Sequence, residues 1–142
     1  NDLYASAYFG ICTLEEAHKV LSDVYILCDK SDHLDKTITQ DLKALAVIGV
    51  SDCQLTSNKA GYNMHTKKIL YVPDYVSGAG GVVMIAKQLE GNKKSLEKEL
   101  DKIFTRTLSL LNHSSKLRKP PFIVAEQHIQ NKSKTQETEK SQ

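Results

Sequence analysis

Apolar residues come in short, dense runs separated by polar stretches, and the runs differ in period. Val24-Tyr25-Ile26-Leu27-Cys28, Ala46-Val47-Ile48-Gly49-Val50 and Ile69-Leu70-Tyr71-Val72 are continuous and rich in β-branched and aromatic residues. Runs of this kind suit strands covered on both faces, as in parallel sheets. Between them the period lengthens. Thr13 and Glu16 fit a capping box that opens a short helix to about Leu21. Ile38, Leu42 and Leu45 share one face of a helix expected over 37–45. A weaker helix is expected from Asn58 to His65, with Gly61 inside it.

After Pro73 the small residues Gly78, Ala79, Gly80 and Gly81 open an apolar helix to Leu89. Gly91 and Asn92 stop it. The longest helix is expected from Ser95 to about Asn112, on Leu96, Leu100, Ile103, Leu108 and Leu111. Pro120-Pro121 interrupts, and a last helix runs from Ile123 to Gln130. Strand and helix alternate from 14 to 89, which implies a parallel sheet with crossover connections. The expected fold is therefore α/β: a partial Rossmann-like parallel sheet of about three strands, flanked by helices, with a long C-terminal helix. Three strands leave a sheet edge open, so strands are missing or a partner covers it. Residues 1–130 form one domain; 131–142 hold only polar residues and read as a disordered tail.

Composition narrows the function classes. The 142 residues are 40% hydrophobic and 25% charged, ordinary for a globular domain, and the net charge of +2 argues for neither nucleic acid nor an anionic membrane. No run of about 18 apolar residues suggests a membrane span. The chain opens on Asn1 with no signal-peptide pattern, which suggests a fragment or a processed chain of the cytoplasm. Cys12, Cys28 and Cys53 have no regular spacing and read as buried, reduced thiols. The five histidines show no metal spacing, so no metal is assigned.

Three strings occur in order: Asp23-Val24-Tyr25-Ile26-Leu27-Cys28; Ile48-Gly49-Val50-Ser51-Asp52-Cys53-Gln54-Leu55; and Tyr71-Val72-Pro73-Asp74-Tyr75-Val76-Ser77-Gly78-Ala79-Gly80-Gly81-Val82. Together they resemble the nucleotide-binding domain of the glutamate/leucine/phenylalanine/valine dehydrogenase family, most of all its leucine-dehydrogenase branch. The family reads roughly D-I-Y-A-P-C, A-G-S-A-N-N-Q-L and Y-A-P-D-Y-V-I-N-A-G-G-V-I at these places. Phe122-Ile123-Val124-Ala125-Glu126 resembles its last helix, so the likeness covers about residues 9–131.

The resemblance implies NAD as cofactor and oxidative deamination of a small apolar L-amino acid to a 2-oxo acid. It places Ser51, Asp52 and Cys53 in a cofactor loop, Gly78 beside the nicotinamide, and Cys28 to Asp32 near the adenosine half. The departures from the pattern matter as much. None of the seven glycines forms a G-x-G-x-x-G turn, so no phosphate cradle is visible. The family's catalytic lysines and aspartate belong to a substrate domain not seen here, and no catalytic residue is assigned. Asp52 and Cys53 stand where the family has two Asn, and Gly78 where it has another; each lost hydrogen bond costs about 0.5–1.5 kcal/mol. Two readings stay open: part of an active dehydrogenase, inactive by itself, or a degenerate domain that keeps the fold and serves as an interaction module. The long helix and the open sheet edge are also surfaces through which a homo-oligomer could form.

Overall fold

The computed structural model describes residues 10, 12–28, 33–91 and 96–140. Asp29 to Asp32 of the adenosine-side loop, Asn92 and Ser95 lie outside the described residues. The elements run α1 (Leu14–Ala17), β1 (Ser22–Leu27), α2 (Lys36–Asp41), β2 (Ala44–Gly49), α3 (Asn58–Thr66), β3 (Leu70–Val72), α4 (Asp74–Ser77), α5 (Gly80–Leu89), α6 (Leu96–Leu117) and α7 (Pro121–Lys140). The strands form one parallel sheet in the order β1-β2-β3, with Val24 beside Ala46, Ile26 beside Ile48, and Ala46 beside Leu70. This is the α/β sheet with flanking helices and a long C-terminal helix that the apolar runs imply.

One face of the sheet carries the core. Leu27, Val47 and Tyr71 point to it and meet Leu34, Leu42, Met64 and Phe122, all buried. Phe122 enters from the first turn of α7, and its ring stands edge-on to Tyr62 at 5.5 Å between centroids. Gly61 is a glycine for this reason: a Cβ there would lie 2.5 Å from the Phe122 ring. The glycine that weakens α3 as an isolated helix is what lets α3 sit on α7.

Several boundaries differ from the sequence reading, each for a local reason. The expected helix over 37–45 is α2, which ends at Asp41; Leu42 turns extended, is buried, and leads directly into β2. The side chain of Asp35 caps α2 by accepting from the Ile38 N–H at 2.7 Å. Lys67 Nζ closes its other end by donating to the carbonyls of Thr39, Gln40 and Leu42. Leu45 therefore belongs to a strand, not a helix face, and is exposed. The helix after Thr13 stops at Ala17, and the Thr13 hydroxyl bonds the Glu16 carboxylate rather than a backbone N–H. α6 runs on to Leu117, and α7 to Lys140, through the stretch read as a disordered tail. That stretch lacks Pro and Gly and is rich in Lys, Gln and Glu, which sustain a helix without burial.

The strands are not covered on both faces. On the side opposite the core, Val24, Ile26 and Leu70 are exposed, whereas Val72 is buried and Ile48 half-buried. The three thiols are exposed as well, contrary to the expectation of burial. Cys28 lies one residue past the end of β1, where the chain leaves the sheet, and Cys53 lies in a loop.

Candidate functional site

In a parallel sheet the carboxyl ends of the strands all open on one rim, where loops and helix starts gather. Three segments meet there: Leu27-Cys28 after β1, Val50 to Leu55 after β2, and Pro73 to Gly78 after β3. A buried polar network ties them. The Leu27 carbonyl accepts from the Val50 N–H at 2.9 Å and from Gln54 Nε2 at 2.8 Å. The Gln54 N–H donates to Asp74 Oδ2 at 3.4 Å, and the Tyr71 hydroxyl donates to Asp74 Oδ1 at 3.5 Å. Gln54 is fully buried, and its Oε1 has no hydrogen-bond partner. Burial, followed by the nearby Asp74 carboxylate, pushes the Tyr71 hydroxyl well above its usual range.

Close backbone approach finishes the corner. A Cβ on Gly78 would lie 2.6 Å from the Val50 carbonyl oxygen and 2.8 Å from that of Asp74. A Cβ on Gly49 would collide with Gln54 Oε1 and with Asp74. The Ser77 hydroxyl donates to the Gly49 carbonyl, and also approaches the Pro73 carbonyl at 3.1 Å. These glycines serve packing inside the chain. A Cβ on Gly80 would make ordinary contact with Leu100 and Ile103 of α6, at 3.6 and 3.9 Å, whereas one on Gly81 would meet open space.

The sequence-named residues Cys28, Ser51, Asp52, Cys53 and Gly78 thus fall in three adjoining segments on one rim. Ser51 and Gly78 are half-buried; Cys28, Asp52 and Cys53 are exposed. Cys53 has φ of 58°, a left-handed conformation in which Asn and Gly are the common occupants. The backbone there takes a shape that Asn and Gly adopt more readily than Cys. Sequence reasoning overlooked Gln54 as the residue that joins the first two loops. Its signal was a single amide inside the string Ser51 to Leu55. Asp74 is the acceptor that anchors the second loop to the third. No cluster of metal-ligating side chains exists among the described residues.

This architecture is that of an amino-acid dehydrogenase fold. It superposes on the crystal structure of L-tryptophan dehydrogenase from Nostoc punctiforme with a TM-score of 0.81 over 89% of this chain and 41% of that one; at 19% identity the likeness concerns the fold alone. Sequence relatives make the assignment more particular. The chain is 31% identical over 122 residues to leucine dehydrogenase of Bacillus cereus, covering 83% of this chain and 33% of that protein. It is 30% identical over 105 residues to leucine dehydrogenase of Bacillus subtilis (strain 168), covering 73% and 29%. Against phenylalanine dehydrogenase of Lysinibacillus sphaericus it is 31% identical over 103 residues, covering 71% and 27%. No family model matches. The chain belongs to the glutamate/leucine/phenylalanine/valine dehydrogenase family, matching its carboxy-terminal part. It spans between 20% and 35% of the length of the curated relatives.

Proposed function

We propose that residues 1–130 are the carboxy-terminal portion of the NAD-binding domain of a leucine-type L-amino-acid dehydrogenase. The full activity would be oxidative deamination of a small apolar L-amino acid to a 2-oxo acid and ammonia in the cytoplasm. The observation that carries this reading is the strand-end rim, where the residues resembling the family's cofactor loops converge. The left-handed Cys53 backbone, kept where the family has Asn, supports a dinucleotide ancestry for that loop.

The residues present do not fit a whole dinucleotide. The sequence has no Gly-rich turn, and the tight places at Gly49 and Gly78 are filled by Gln54, Asp74 and the Val50 carbonyl. Ser51, Asp52 and the Cys53 loop offer polar contacts for one end of the cofactor and nothing for a pyrophosphate. An ionised Asp52 accepts hydrogen bonds only, where Asn both donates and accepts. These observations also favour a second reading, a domain that keeps the fold without cofactor binding. Both readings make the isolated chain inactive.

Titration of the 142-residue chain with NADH, followed by cofactor fluorescence, tests this. The expected result is no saturation up to about 1 mM, and no reduced cofactor formed from NAD and L-leucine. Micromolar binding by the chain alone would contradict the reading that these residues cannot hold a whole dinucleotide, and with it the degenerate-domain reading.

A further inference from the structure

Two of the three thiols lie on the strand-end rim. Cys28 and Cys53 are both exposed, and each adjoins a buried residue, Leu27 and Gln54 respectively. Those two buried neighbours are bonded to one another, with Gln54 Nε2 donating to the Leu27 carbonyl at 2.8 Å. The same carbonyl accepts from the Val50 N–H at 2.9 Å. Both ends of the turn Ser51-Asp52-Cys53 therefore converge on the peptide group that joins Leu27 to Cys28. The strand register agrees. Leu27 stands beside Gly49, so Cys28 and Val50 come next in line, about 4.8 Å apart across the ladder. A disulfide needs Cα atoms about 4.4–6.8 Å apart. Asp52 and Cys53 are exposed, so the tip of the turn can close onto Cys28 while Gln54 stays in the core.

Cys12 stands apart from this pair. Burial, and then the nearby Cys12 thiol, push the Tyr25 hydroxyl up. Cys12 is therefore a neighbour of Tyr25, which packs against the core from the middle of β1. Exposed thiols with a second thiol within reach are the ones that exchange readily, whereas an exposed thiol without one stops at a mixed disulfide. The third cysteine thus serves as an internal control for the other two.

We propose that Cys28 and Cys53 are a redox-responsive pair, which closes into a disulfide across the first two strand-end loops. The reaction is thiol–disulfide exchange with a low-molecular-weight disulfide. One protein thiolate attacks the oxidant, which forms a mixed disulfide and releases one small thiol. The second thiolate attacks the protein sulfur of that bond, which breaks it and releases the second small thiol. The two protein thiols are oxidised, the oxidant is reduced to two thiols, and the two thiol protons end on those products. The bridge ties the Ser51–Cys53 turn down over the rim, and it forms whether or not these loops hold a cofactor.

Oxidised glutathione, titrated against the native full chain, tests it. Peptide mapping without reductant should join the peptide of Cys28 to that of Cys53. Cys12→Ser leaves the rim pair as the only thiols; it should lose both on oxidation, together with the mass of two hydrogens. Cys28→Ser and Cys53→Ser should each stop at a mixed disulfide on the remaining rim thiol, heavier by one glutathionyl group. Rim thiols that stay free, or that carry glutathione without closing on one another, overturn the proposal. So does a bridge that includes Cys12 or joins two chains. Mapping of the unsubstituted chain decides the matter even if a serine variant folds poorly.

Discussion

Tyr71 and Tyr75 show how single residues lock the rim. Tyr71 is buried with its hydroxyl on Asp74, and Tyr75 reaches from α4 to donate to the Phe122 carbonyl at 3.3 Å. Burial pushes the Tyr75 hydroxyl up from 10.0 to about 12, with the Glu126 and Asp74 carboxylates adding to the effect. Both groups hold their proton more tightly in the folded chain than in the unfolded one. Their contribution is therefore full below pH 10 and is lost as pH rises through the folded values. Urea midpoints should be flat on this account up to about pH 10, then fall toward pH 12. Tyr75→Phe should start lower, for loss of the Phe122 bond, and fall less steeply. An equally steep fall in Tyr75→Phe and Tyr71→Phe would show that other groups govern the alkaline limit. The sequence shows the two tyrosines on either side of Pro73 and Asp74. What it could not show was the carboxylate at Asp74, because that contact depends on the turn made by Pro73 and α4.

At the scale of elements, strands and long helices were legible because apolar period reports them directly. Boundaries were less so where tertiary contacts decide them. Leu42 keeps helical spacing with Ile38, yet the chain turns there so that Leu42 can enter the core and β2 can begin. α4 was missed because four residues carry no period of their own. The glycines of the strand-to-helix corner looked alike in sequence but differ in space. Gly78→Ala would press a methyl against the Val50 carbonyl at 2.6 Å and should cost about 1–3 kcal/mol. Gly81→Ala meets open space and should stabilise α5 by about 0.4–1 kcal/mol through the unfolded chain's lost freedom. Denaturant unfolding of the two variants checks this; a matching loss in Gly81→Ala would mean that this position is crowded by something not evident in the fold.

Across the whole molecule, the two sides of the sheet carry different weights. The alternating faces of β1 and β3 could not be told apart in sequence, since both sides are apolar there. A parallel sheet with apolar residues on both faces is written for cover on both, and this chain leaves Val24, Ile26 and Leu70 of one face exposed. The chain spans a minor share of its relatives' length. The unequal sides give a direct test. Leu34 is fully buried, so Leu34→Ala should cost about 2–5 kcal/mol. Ile26 is 57% exposed, so Ile26→Thr should stay within about 0.5 kcal/mol, since it removes apolar surface that water already touches. If Ile26→Thr instead costs as much as Leu34→Ala in the 142-residue chain, the outer face is buried in solution. That would place another surface against β1.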